Sequence, residues 1–108
     1  MKIDATAMAK MLGINIITFH SMIQNKIITR YELRPQKKPR YLFSEEDAAA
    51  AMIVYDMMSL GFSRNKAAEI GNGTQAHRIG TGIKIFIDTE KYRDTIRSKF
   101  KKLHKDLK

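Results

Sequence analysis

Cysteine is absent from the 108 residues, which excludes disulfide staples and thiolate sites. Proline occurs only twice, at Pro35 and Pro39, so its chain-breaking effect is confined to one short stretch. No apolar run approaches the roughly 20 residues of a membrane span, and the amino end lacks the apolar core of a signal peptide. Histidine is sparse and scattered, at His20, His77 and His104, without the paired spacing a metal site needs. Glycine is scarce as well, and four of the six lie between residues 71 and 82. No Gly-Lys-Ser/Thr step follows them, so they do not build a phosphate loop. No Ser-His-Asp order stands out either. These absences lead to an expected single-domain, non-enzymatic, cytoplasmic protein with no cofactor, no metal and no membrane contact.

What the chain has in excess is positive charge, +9 overall. Residues 1–43 carry eight Lys/Arg against two acids, residues 44–90 four against seven, and residues 91–108 eight against two. Two basic ends around an acidic middle point to two surfaces aimed at polyanions. Apolar content of 44% with 29% charged residues fits a chain able to bury a core.

Periodicity places the elements. Residues 4–12, "DATAMAKML", read as a short helix: Asp4 can cap it, and Ala5, Met8, Ala9 and Leu12 recur on one face. Gly13 can close that helix with positive φ, and Asn15 can cap a second, from Ile16 to about Gln24. There Ile16, Phe19 and Ile23 share one face, and Ile17, His20, Ser21 and Gln24 share the opposite one. Two short helices joined by so tight a turn have the spacing of a helix-turn-helix.

Ile27, Ile28, Thr29, Tyr31 and Leu33 have strand preference, and Tyr41 to Phe43 can return as a partner strand. Between them, Pro35 and Pro39 bracket Gln36, Lys37 and Lys38 in a blunt cationic tip, the composition of a wing. Charge then reverses at Ser44-Glu45-Glu46-Asp47, because acids suit the first turn of a helix while cations suit a phosphate-facing tip. The helix from Glu45 to Leu60 is apolar around most of its circumference, so it needs cover on more than one side. Gly61 ends it, Ser63 caps a fourth helix over "RNKAAEI", and Phe62 can pack across the corner. Residues 71–82 read as a mobile glycine-rich connection. Ile83 to Ile87 alternate as a strand, and a last helix from 89 to 107 aligns Tyr92, Ile96, Phe100, Leu103 and Leu107. The domain reading is thus 1–70, a connection over 71–82, and a strand-plus-helix extension over 83–108.

The ordered set "AKMLGINIITFHSMIQNKII", "YLFSEED" and "LGFSRNKAAEI" resembles the MerR-type winged helix-turn-helix over about residues 3–70. That family shows an Ala-Lys-x-x-Gly-Val-Ser-x-x-Thr-Leu-Arg pattern, an aromatic strand running into Ser-x-Glu-Asp, and a Leu-Gly-Phe-Ser corner. The resemblance implies a mainly α fold with a β-hairpin wing and a duplex-DNA-binding transcriptional regulator. Two departures matter: His20, Ser21 and Met22 stand where the family has an arginine and an aromatic pair, and the wing is bracketed by proline. The long coiled-coil helix and effector domain of the metal- and drug-sensing members have no counterpart here, so no small-molecule effector is expected. The strand-plus-helix tail is similar to that of small regulators from bacteria, phages or mobile elements.

The expected DNA-binding residues are Ile17, Thr18, His20, Ser21 and Gln24 on the second helix, with Arg34, Lys37, Lys38, Arg40 and Tyr41 on the wing. Glutamine can read adenine through two hydrogen bonds, Thr and Ile can touch a thymine methyl, and the cations release counterions from phosphate. The tail is expected to pack on helix 45–60, either within one chain or across a two-fold axis. In the second case Ile85, Ile87, Tyr92, Ile96, Phe100 and Leu103 join a homodimer whose reading helices reach half-sites one helical turn apart. RNA polymerase or an integrase is a further expected partner. Two other readings use the same residues: an architectural, excisionase-like DNA-bending factor, and an antirepressor-type protein-interaction module.

Overall fold

Asp4 serves two elements at once. In the computed structural model, which describes residues 1–71, 76–79 and 81–106, it is the second residue of strand β1 (Ile3–Asp4) and the N-cap of helix α1 (Ala5–Leu12). Its Oδ1 accepts the Ala7 N–H at 2.9 Å, satisfying one of the orphan donors of a helix start. Gly13, at φ +73°, returns its N–H to the carbonyls of Ala9 and Lys10 and closes α1. Asn15 then caps α2 (Ile16–Gln24), its Oδ1 accepting the Ile17 N–H at 2.7 Å.

The strand expected from Ile27 does not form there. Lys26 takes φ +59°, and the N–H groups of Ile27 and Ile28 both turn back to the Met22 carbonyl, at 2.9 and 3.2 Å. Both isoleucines are buried beneath that turn, so core filling overrides their strand preference. Pairing begins only at β2 (Glu32–Arg34), which joins β3 (Arg40–Phe43) antiparallel with Arg34 opposite Arg40. β1 pairs with the other edge of β3, Ile3 opposite Phe43, giving a three-stranded antiparallel sheet of order β1-β3-β2. The described elements are mainly helical, with five helices around this small sheet.

Ser44 opens α3 (Glu45–Ser59) with a complete capping box: its Oγ accepts from Asp47 N–H and Asp47 Oδ2 accepts from Ser44 N–H, both at 3.2 Å. The seven residues from Ala48 to Val54 are all buried. At about 100° of turn per residue, such a run exhausts every face of the helix. Helix α4 (Arg64–Gly71) covers one side after the corner at Gly61 and Phe62, and α5 (Thr89–Asp106) covers another. The α3–α4 approach is close enough to dictate glycine. A Cβ at Gly71 would clash with Val54 Cγ2 and lie 3.2 Å from the Ala50 carbonyl oxygen. Gly71 ends α4, so helix propensity favours Gly71→Ala by less than the ~1 kcal/mol of a helix interior, and overpacking a closed contact costs about 1–3 kcal/mol. The variant is expected to melt below the parent; an unchanged or raised Tm would mean that α4 can back away from α3.

Part of the connection read across residues 71–82 is ordered strand. β4 (Ala76–Ile79) pairs with β5 (Ile83–Phe86) through a turn that includes Thr81 and Gly82, and Gly71 belongs to α4. Residues 72–75 and 80 of that connection, and Leu107 of the expected apolar seam, lie outside the described residues.

Of the two arrangements open to the tail, the structure shows packing within one chain. Ile87, Ile96 and Phe100 are buried in the common core, and Ile85, Tyr92 and Leu103 pack against it half-buried. Of the six residues expected to join two copies, Ile87, Ile96 and Phe100 are thus taken up by their own chain, because α3 needs cover and α5 supplies it, and Ile85, Tyr92 and Leu103 are covered in part. Among the described residues, the large apolar side chains left exposed on this part are Ile83 and Phe86 of β5.

Tyr92 locks α5 to α3: its hydroxyl donates to Asp56 Oδ2 at 2.6 Å. Burial, then the hydrogen bond to Asp56 and that carboxylate's charge, push the phenol well above its usual value near 10. A raised pKa in the folded state means stability that is present below pH 10 and lost as pH climbs beyond it. Tyr92→Phe should be less stable by about 1–2 kcal/mol near neutral pH, and the gap should narrow in denaturant melts above pH 10. A gap that stays constant from pH 7 to 11 would contradict the assigned proton.

Candidate nucleic-acid interface

Helix α2 presents two unlike faces. Phe19, Met22 and Ile23 are buried, and Phe19 stacks at a tilt on Phe43 of β3, centroids 5.5 Å apart. Ile17, Thr18, His20, Ser21 and Gln24 are all exposed, and Ile17 has 76% of its surface open. An isoleucine so open is unsatisfied by its own chain. It lies near one end of a row that reaches Gln24 at the other, about two helical turns away. Asn25 Nδ2 donates to Ser21 Oγ at 3.1 Å, which fixes the hydroxyl on that row.

The sheet holds the hairpin beside this row. Tyr41 of β3 meets Tyr31 edge-on at 5.1 Å and faces the His20 ring at 6.2 Å. One aromatic side chain thus touches both the outer face of α2 and the hairpin stem. Tyr41 is half-buried, so its ring spaces the two elements and its orientation is set by packing.

The cations at the hairpin differ in how they are held. Arg34 Nε lies 3.8 Å from Glu32 and an Arg40 terminal nitrogen 3.8 Å from Asp4. Pairs so long and so exposed contribute about 0–1 kcal/mol, and leave both guanidiniums available to a better partner. Lys37 and Lys38, between the two prolines, are exposed and meet no carboxylate among the described residues. Proline on either side restricts the backbone that carries them. Arg30, absent from the sequence-based site, stands nearby but points to α3, 3.8 Å from Glu46 and 3.9 Å from Asp47.

The arrangement offers one amide able to make two hydrogen bonds, two hydroxyls, an imidazole, an exposed aliphatic chain and four cations on adjacent elements. Among the described residues no group of three or more His, Asp or Glu could hold a metal ion, and no helix is long and apolar enough to cross a membrane. No family model, no curated protein and no solved structure matches the chain.

Proposed function

We propose that the amino-terminal elements form a winged helix-turn-helix of MerR type and that the protein is a sequence-selective, duplex-DNA-binding transcriptional regulator. In this reading α2 lies in the major groove, α1 crosses above it, and the β2–β3 hairpin is the wing that rests on phosphates. The observation that carries it is the contact of the exposed Ile17–Gln24 row, through His20 and Tyr41, with a hairpin whose Lys37 and Lys38 lack carboxylate partners among the described residues. Cations without counter-charge on a hairpin beside an apolar-to-amide row suit a DNA groove, where phosphates rim the base edges.

Gln24 is the residue best suited to read a base, by two hydrogen bonds to adenine. Ile17 and Thr18 suit thymine methyls, while His20 and Ser21 suit phosphate. With so few base-reading groups, discrimination per chain is modest. Selection of bound duplexes from a random pool should enrich a short motif, and Gln24→Ala should change the preferred base at one position by about 1–3 kcal/mol of discrimination. Equal weakening on every sequence would remove Gln24 as a reader. Enrichment of bent or flexible duplexes with no motif would favour the architectural factor instead.

A further inference from the structure

Helices α1 and α5 are far apart in sequence, yet they share one shallow dent of about 200 Å³ lined by Lys10, Met11, Lys99, Lys102 and Leu103. Three lysines from two helices therefore converge on a floor made by one methionine and one leucine. None of the three has a carboxylate partner among the described residues. The α5 segment from Arg97 to Leu103 contains Arg97, Lys99, Lys101 and Lys102 and no acid.

Local helix chemistry accounts for only part of this. Lys10 sits in the last turn of α1, where a cation complements the helix dipole. Lys99 and Lys102 lie inside α5, which runs on to Asp106, so the dipole does not call for them. Like charges gathered without counter-charge repel one another, and a polyanion relieves that repulsion. The position also matters: Lys10 precedes Gly13 and the Asn15 cap, so the dent borders the turn that delivers α2.

We propose that Lys10, Lys99 and Lys102 form a second phosphate-backbone site, which extends the duplex contact from α2 and the hairpin onto the carboxyl-terminal helix. The proposal rests on the duplex-binding reading above. Its ligand is the sugar-phosphate strand beside the groove that α2 enters. Met11 and Leu103 supply the apolar bed against which the lysine stems lie. The site adds affinity without adding sequence preference, because phosphate contacts position and do not specify.

The test uses the full chain, a 20-base-pair duplex and fluorescence anisotropy across a salt series. Lys99→Ala with Lys102→Ala should weaken binding roughly ten-fold or more at 0.1 M salt and flatten the slope of log K against log salt by about two units. Its melting temperature should be unchanged or raised, since repulsion is removed; a structural role would lower it. The site preference obtained from a random pool should stay the same. An unchanged affinity and slope, with the parent and the Lys37/Lys38 variant behaving as expected, would overturn the second site and leave the first reading intact. A parent protein with no salt-dependent duplex affinity would overturn both. Loss of binding to vesicles containing anionic lipid, with duplex binding unaffected, would assign the lysines to a membrane surface and overturn the proposal.

Discussion

Phe43→Ala is expected to lower stability by about 3–5 kcal/mol, enough to consume much of a total that for a domain of this size is about 5–15 kcal/mol. Phe43 is fully buried on the central strand of the three-stranded sheet. It faces Ile3 across the ladder, stacks at a tilt on Phe19 of α2 and meets Tyr31 at 6.2 Å. Truncation removes those contacts together and leaves a ring-sized void between the sheet and α2. Because α2 is seated by Phe19 against this ring, the outer row from Ile17 to Gln24 should lose its fixed placement too. A thermal melt should show a fall on the order of 15 °C or more, and Leu33→Ala, half-exposed on the edge strand β2, should differ from the parent by less than about 0.5 kcal/mol. A Phe43 variant within 1 kcal/mol of the parent would mean that the sheet and α2 are not held through this contact.

Replacing Lys37 and Lys38 together by alanine should weaken binding to every duplex, by roughly 10- to 50-fold at 0.1 M salt, and flatten the salt slope by about two units or slightly less. Stability should not change, since both side chains are exposed and meet no carboxylate among the described residues. The loss should be the same on preferred and unrelated sequences, because a phosphate contact carries no base information. A loss confined to one sequence would move these lysines from the backbone to a base edge.

Sequence legibility followed the range of the interactions involved. Helix starts at Asp4, Asn15, Ser44 and Ser63 depend on side chain and backbone groups a few residues apart, and all could be read locally. So could the two faces of α2, because burial of Phe19 and Ile23 fixes the rotation of the helix and thereby exposes Ile17, His20 and Gln24. The all-round apolar character of α3 correctly demanded cover, but the pattern could not say whether α5 from the same chain or a second copy supplied it. Strand β1 left no signal: two residues pair with β3 only because the fold brings them together. The strand expected from Ile27 failed because a positive φ at Lys26 turned two strand-forming isoleucines into the core. β4 was hidden among glycines whose composition argues for a loop. Within the candidate interface, Lys10 could not be found by spacing, as it meets Lys99 and Lys102 only through the α1–α5 approach.

Duplex binding, as proposed, requires that the hairpin cations reach the phosphates of a duplex while α2 lies in its groove. The most direct measurement is the affinity of the unaltered chain for a short DNA duplex between about 0.05 and 0.3 M salt. Four hairpin cations on phosphates predict a slope of log K against log salt of about −3 to −4, steeper still with the lysines of α1 and α5 engaged. A flat line, or no affinity at the lowest salt, would contradict duplex binding and leave the same surface to a protein partner.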